Sequence, residues 1–440
     1  MRIFITHKLT DTSLFKKNVL HYADQFGRCC ILDNNNWPEG NFEIMAAIDS
    51  VDEIIPKKDS FDTLKKFYES KNDWLFGFLS YDLKNEIENL SSENIDRLGF
   101  PLMHFFQPKF ILIVRNNSVE IGYLPEVSSE KETENIISEI INLEKHKDHI
   151  SIPIKTNCRV SKEEYIETVS RIKQHIQRGD IYEMNYCIEF FSEHVNVNPK
   201  EVFLKLNDSS LTPYSAFYRH EDKYLMCASP ELYLKKTGKK INSQPIKGTA
   251  KRGETFEEDI HSKESLRRSV KDKSENVMIV DLVRNDLSKT CNNVSVEELF
   301  GIYSFKQWHQ MISSISGEIK NGISFIDVIK NSFPMGSMTG APKLSAMELI
   351  EKYEKTKRGL YSGAIGFLDP DGNFVFNVVI RSILYSVTSG YLSFHVGSAI
   401  TANSIPEEEY DECLLKAKGM FKALNTNLPE LEKEELLQNA

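Results

Sequence analysis

An α+β fold built on a large antiparallel sheet is the architecture this sequence predicts, and three observations carry the prediction. Long strand-like runs alternate in polarity, tight turns separate several of them, and amphipathic helices stand between. The clearest run covers 181–191, where Tyr182, Met184, Tyr186, Ile188 and Phe190 share one face and Glu183, Asn185, Cys187 and Glu189 the other. Turn signals recur at Arg115-Asn-Asn-Ser118, Asp369-Pro-Asp-Gly372 and Thr388-Ser-Gly390.

In chain order, residues 1–125 hold a strand run at 74–81 and a hairpin, 110–114 with 119–124. Residues 126–152 are polar and charged and read as a surface helix and a connection. Ser161-Lys-Glu-Glu164 reads as a capping box. It opens a helix with Tyr165, Ile166, Val169, Ile172 and Ile176 on one face, closed by Gly179. After the 181–191 strand come a strand at 231–234 with a turn at Gly238, and then two helices over 255–290. The segments 361–368, 374–386 and 391–401 read as a meander. The last helix starts near Pro406 behind a second capping box, Ser404-Ile-Pro-Glu407, with Tyr410, Cys413, Ala417, Met420, Phe421 and Leu424 as its apolar face.

The chain has 440 residues, 40% hydrophobic and 27% charged, the make-up of a soluble globular protein. Its net charge of −10 argues against nucleic acid as the main partner. Seven scattered cysteines without a CxxC pair argue against a zinc site or disulfide framework and for a reducing cytoplasm. The apolar runs are strand-length, so no membrane span and no signal peptide are expected.

Several segments carry residues suited to chemistry. Gln244-Pro-Ile-Lys-Gly-Thr249 places Lys247 in a tight turn. Desolvation there lowers a lysine pKa and frees the amine to attack carbon; a solvated turn lysine is the plain alternative. Glu409, Glu412 and Lys416 form one stripe of the last helix, bordering its apolar face. Two such carboxylates can hold a divalent cation, or Glu412 can simply pair with Lys416. Asp272 and Glu275 form a second acidic pair at a helix start, and Asp281, Arg284, Asn285 and Asp286 after them read as a buried polar lattice. In Phe333-Pro-Met-Gly-Ser-Met-Thr-Gly-Ala-Pro-Lys343, Gly336, Ser337, Thr339 and Gly340 offer backbone N–H groups and hydroxyls to a carboxylate. Gly397 and Ser398 give a strand small residues, for close ligand approach or for tight packing. Arg381, read as a strand residue, suits a bidentate carboxylate contact or an ordinary cross-strand ion pair.

In order along the chain stand Pro-Ile-Lys-Gly-Thr, Asp-Leu-Val-Arg-Asn-Asp-Leu, Phe-Pro-Met-Gly-Ser-Met-Thr-Gly-Ala-Pro-Lys, Arg-Gly-Leu-Tyr-Ser-Gly-Ala-Ile-Gly and Glu-Glu-Tyr-Asp-Glu-Cys-Leu-Leu-Lys-Ala. This set resembles the chorismate-utilising enzymes over residues 155–425. A weaker likeness in the first 125 residues centres on Trp74 to Leu83. The resemblance implies that family's fold, large antiparallel sheets packed as a β-sandwich core with helices on the outside. It implies an amino-terminal region at 1–125 packed onto the core, a connection at 126–152, a chorismate-binding catalytic region at 153–425 and a polar tail at 426–440. Within the family, Lys247 and Gly-Ser-Ala-Ile at 397–400 look like component I of aminodeoxychorismate synthase, because anthranilate and isochorismate synthases carry alanine where Lys247 stands.

The activity so implied is amination of chorismate to 4-amino-4-deoxychorismate, in p-aminobenzoate and folate biosynthesis. No Gly-x-Cys-x-Gly elbow occurs, so ammonia would come from a separate glutamine amidotransferase subunit in a heterodimer, or from solution. Anthranilate synthase component I and a non-catalytic chorismate-binding protein are the alternatives. The resemblance makes Lys247 the nucleophile at C2 and Glu231 the general acid for the leaving hydroxyl. It assigns Mg²⁺ to Glu275 and Glu412, with Asp272 and Glu409 nearby. It gives substrate binding to Gly248, Thr249, Ser337, Gly340, Tyr361, Arg381, Gly397, Ser398 and Lys416. Two departures stand out. Glu183 occupies a place that holds lysine in isochorismate and salicylate synthases and glutamine in aminodeoxychorismate synthases. Gln310, preceded by His309, stands where many relatives have histidine.

Overall fold

A computed structural model describes residues 1–38, 40, 42–143 and 154–426. Most of the expected tail, 427–440, and residues 144–152 of the connection lie outside the described residues.

Among the described residues twenty strands join into one antiparallel network, which divides into two sheets at the long strand Met103–Arg115. Its second half pairs with Ser118–Tyr123, and its first half with Leu75–Leu79. From Met103–Arg115 the first sheet continues through Ile44–Ile54, Arg28–Asp33, Tyr214–His220, Lys223–Ser229, Ser382–Ser386 and Tyr391–Ile400 to Glu183–Ser192. The second continues from Leu75–Leu79 through Ala364–Leu368, Phe374–Val378, Leu232–Thr237 and Lys240–Gln244 to Trp308–Ile319. Ile246–Lys251 and Cys291–Ser304 both pair with Trp308–Ile319.

Side chains of a strand alternate between faces, and both faces of the first sheet are buried. Cys30, Met45, Ala47, Tyr218 and Leu225 enter a core shared with Phe76, Phe78, Leu234, Ile315 and Phe376 of the second sheet. Their neighbours Ile31, Ala46, Ile48, Phe217 and Met226 face the other way, into a core covered by helices. Those helices are Thr12–Ala23, Glu130–Ile141, Lys162–Arg178, Pro199–Ser210 and Pro406–Ala423. The result is a β-sandwich core with helices outside. Strands of the first 125 residues pair directly with later ones, Arg28–Asp33 with Tyr214–His220 and Leu75–Leu79 with Ala364–Leu368.

Local chemistry explains the element ends. Asn116 and Asn117 take φ of 48° and 57°, the left-handed pair that a two-residue hairpin turn needs. Ser161 accepts a hydrogen bond from the Glu164 N–H at 3.2 Å, and Gly179 closes the same helix at φ 84°. The Glu164 carboxylate turns instead to Lys355.

Three expectations are corrected. The run 374–386 is two strands, Phe374–Val378 and Ser382–Ser386, because the backbone turns at Arg381, whose φ is 49°. Ser404 does not cap the last helix, since its hydroxyl accepts from the Thr401 N–H at 3.0 Å; Ile405 stands at the cap, and Pro406 opens the helix. The lattice at 281–286 reduces to Asp286, which is buried and paired with Lys343 and Lys289, whereas Asp281, Arg284 and Asn285 are exposed.

Candidate active site

The Ile246–Lys251 strand carries the central lysine. Ile246 stands opposite Ile312 and Thr249 opposite Gln310, so Lys247 and Gly248 together face a single residue, a β-bulge. Lys247 therefore sits in a bulged strand and not in a free turn. Gly248 has φ 97°, and a Cβ there would lie 3.0 Å from the Asp272 side chain. Glycine satisfies both demands at once.

Lys247 opens onto a cavity of about 350 Å³, a size suited to a small organic acid. Glu231, Gly248, Thr249, Asp272, Glu275, Ser337, Tyr361, Arg381, Gly397, Glu412 and Lys416 line it too. Residues from eight separate stretches of sequence, between Glu231 and Lys416, thus converge on one space.

Three nominated residues stand apart. The Ser398 hydroxyl is turned to the helix layer, 2.8 Å from the Tyr165 hydroxyl. Glu409 is buried and paired with Lys271 at 3.2 Å. Gly340 pairs with Met184, and a Cβ on it would lie 2.1 Å from the Glu183 carbonyl oxygen. Its glycine serves close backbone packing. Gly397 does the same while lining the cavity, since a Cβ there would meet the Cys187 Sγ at 2.5 Å.

Burial and charge set the protonation states. Glu231 is buried and accepts a hydrogen bond from the Ser337 hydroxyl at 2.5 Å. Burial pushes its pKa up to about 7. Burial likewise pushes Glu275 up to about 7, and its Oε1 has no hydrogen-bond partner among the described residues. Lys247 donates to Glu183 Oε1 at 2.6 Å. Desolvation works against its charge, but Glu183, Glu275 and Glu231 outweigh it and hold the ammonium above its ordinary pKa. Burial alone would lower the Lys247 pKa; the carboxylates that face it raise it. Burial lowers Arg381 to about 10, which leaves it charged at neutral pH, and its guanidinium lies 6.0 Å from the Trp308 ring centre. Lys416 bonds Glu412 at 2.7 Å and the Gly397 carbonyl at 2.8 Å.

Other residues support this wall. Asn185, from the inner face of Glu183–Ser192, donates to the Ser337 carbonyl at 3.3 Å. Arg358 donates to the carbonyls of Met338 and Asn185 at 2.6 and 2.8 Å and pairs with Glu354. The Tyr81 ring stacks under Arg358 at 4.6 Å, and Asp82 accepts from the Gly359 N–H at 3.1 Å, so the Ser80-Tyr-Asp82 segment braces the site from behind. Gln310 lines the cavity with a buried Oε1 that has no hydrogen-bond partner among the described residues, whereas His309 is turned away to Asp259 at 3.0 Å. His395, stacked on Tyr361 at 5.1 Å, was not nominated from sequence; its place one residue before Val396-Gly397 on an alternating strand was the available signal.

A second group of ligand-type side chains lies elsewhere. Glu53, His104 and His220 bring such atoms within 4.8 Å of one another. Arg28 already holds both Glu53 oxygens, at 2.6 and 2.9 Å, so its guanidinium fills the cation's role there.

The profile of the chorismate binding enzyme family matches residues 27–422. The chain is 33% identical over 375 residues to aminodeoxychorismate synthase component 1 of Bacillus subtilis, covering 82% of this chain and 77% of that one. It is 40% identical over 269 residues to a probable chloroplastic aminodeoxychorismate synthase of Oryza sativa, covering 60% of this chain but 30% of that one. It is 30% identical over 377 residues to anthranilate synthase component 1 of Acetivibrio thermocellus, covering 79% of this chain and 74% of that one. The crystal structure of anthranilate synthase component I from Streptococcus pneumoniae shares the fold, with a TM-score of 0.76 at 24% identity over 89% of this chain and 92% of that one.

Proposed function

The chain belongs to the chorismate-binding enzyme family, and on that premise we propose that it aminates chorismate to 4-amino-4-deoxychorismate through a covalent adduct on Lys247. The observation that carries this reading is a buried lysine sharing one cavity with a buried carboxyl group, Glu231, whose pKa near 7 leaves it a proton to give. A lysine amine attacks C2 while the C4 hydroxyl leaves, and Glu231 protonates that hydroxyl so that it departs as water. Ammonia then adds at C4 and expels the lysine. The similarity to the Bacillus protein supports the choice of product. The anthranilate synthase reading has support from relatives of similar identity, and the lysine is what argues against it. Incubation with chorismate, Mg²⁺ and ammonium, followed by mass analysis, tests the two: 4-amino-4-deoxychorismate supports the proposal, and anthranilate with pyruvate refutes it.

Chorismate is a dianion, and Arg381 and Lys416 supply fixed positive charge in the cavity wall. Glu275 and Glu412, with Asp272 beside them, would hold Mg²⁺, and the unpartnered Glu275 oxygen fits an oxygen-liganded cation. Bound there, Mg²⁺ supplies charge to a substrate carboxylate. Glu412→Gln is expected to raise the Mg²⁺ concentration for half-maximal activity by about tenfold or more. A Mg²⁺ titration of both proteins measures this, and superimposable curves remove Glu412 from the ligand set.

Ammonia is the second substrate, supplied by a glutamine amidotransferase partner in the cytoplasm. Among the described residues no helix is long and apolar enough to cross a membrane. The isolated chain is expected to turn over with ammonium salts and not with glutamine. Glutamine-driven turnover by the pure chain would contradict the need for a partner.

A further inference from the structure

Glu183 lies outside every role described so far, yet it makes the shortest polar contact to the reactive amine. Its Oε1 sits 2.6 Å from Lys247 Nζ, and the two side chains are 1% and 10% exposed. Its Oε2 is buried and has no hydrogen-bond partner among the described residues. The backbone is fixed as well. Glu183 stands opposite Ala341, and only the missing side chain of Gly340 lets that segment press against the Glu183 carbonyl. An ion pair held this way leaves Lys247 as an ammonium with no lone pair, so the resting enzyme cannot attack carbon until one proton moves.

We propose that Glu183 is the base that takes this proton, making it a catalytic residue and not only a counter-ion. The inference rests on the reading of Lys247 as nucleophile. One proton passes from Lys247 Nζ to Glu183 Oε1, giving a neutral amine and a carboxylic acid. The amine's electron pair forms the bond to C2, the two ring double bonds shift, and the C4–O bond breaks with a proton from Glu231, releasing water. Ammonia then forms a bond to C4, the two ring double bonds shift back, the C2–N bond breaks, and its electron pair returns to Nζ, which recovers its proton from Glu183. The new C4 ammonium returns a proton to Glu231. Glu183 is the one carboxylate within ion-pair distance of Nζ among the described residues. The other charged groups facing Lys247 are Glu231, Glu275 and Asp272 of Val270–Thr290, and Glu412 and Lys416 of Pro406–Ala423.

Adduct formation without ammonia, followed by rapid quench and mass spectrometry with Mg²⁺ and chorismate present, tests the role. In Glu183→Gln the proton has no acceptor and must leave to solvent. Adduct formation is expected to slow by about 10²-fold at pH 7, and the ratio of its rate to that of the unaltered chain at the same pH is expected to rise with pH. A mere counter-ion gives the opposite sign, because removing the anion favours the neutral amine. A Glu183→Gln protein that forms adduct as fast as or faster than the unaltered chain therefore overturns the inference while leaving Lys247 as nucleophile. If the unaltered chain forms no adduct and Lys247→Ala keeps its amination rate, the nucleophile reading itself falls. Should Glu183→Gln fail to fold, Glu183→Asp serves instead. Its retracted carboxylate is expected to slow the step by about tenfold without adding a pH dependence, and an unchanged rate overturns the proposal.

Discussion

Lys247→Ala is expected to eliminate covalent capture of chorismate and to cut amination by about 10³-fold or more, about 4 kcal/mol of barrier. The amine is enclosed by the cavity and paired with Glu183, and no second lysine among the described residues shares its position in the bulge. Lys416 is held by Glu412 and the Gly397 carbonyl and cannot stand in. Chorismate binding should survive, since Arg381 and Lys416 remain. Lys247→Arg should not restore the rate, because a guanidinium keeps its proton and offers no nucleophilic lone pair. The measurement is twofold: the mass of the Lys247 peptide after incubation without ammonia, and the steady-state rate with ammonium. Near-full amination with no adduct would move the chemistry to direct attack of ammonia on the ring.

The second large effect belongs to Glu231. In the proposed mechanism its protonated form is the active one, and burial places its pKa at about 7. The group is therefore mostly protonated below pH 7 and loses its proton as the pH rises through that value. Adduct formation at low chorismate should fall by about tenfold per pH unit well above pH 7. Glu231→Gln should lower the rate by about 10² to 10⁴-fold and remove that descending limb, since the amide neither donates as an acid nor titrates. The Ser337 hydroxyl keeps a partner in the amide, so the fold is expected to persist. A Glu231→Gln protein with the original pH profile would assign the limb to another group. Glu275 is the first to examine, because its pKa is also near 7.

Much of this site was legible because strands and helices impose periodicity. The alternation along Glu183–Ser192 separates Met184, Tyr186, Ile188 and Phe190, in the helix-covered core, from Glu183, Asn185 and Cys187 on the inner face. The stripe on Pro406–Ala423 likewise turns Glu412 and Lys416 toward the cavity. The residues that escaped are those whose setting depends on distant partners. The bulge at Lys247 exists only in register with Trp308–Ile319. The left-handed turn at Arg381 breaks a segment that reads as one continuous strand. Lys247 meets Glu183 across 64 positions of chain, and local spacing encodes no such pair. The same limit applies to the charge of Lys247, because a tight backbone signals desolvation but local spacing does not say that Glu183 is the carboxylate paired with the amine.

A ribosome making this chain releases Leu75–Leu79 long before its neighbour Ala364–Leu368 exists, although Gly77 must finally lie beside Gly366. Arg28–Asp33 waits in the same way for Tyr214–His220. During synthesis both strands present apolar edges, and contacts so far apart in sequence form slowly. Biogenesis of the folded chain should therefore be mostly post-translational and responsive to holdase chaperones. A cut near residue 125 would leave two pieces with matching open edges, suited to reassociation and not to independent life. Residues 1–125 and the later strands they pair with must then be inherited as one unit, and only positions outside the shared sheets are open to fusion.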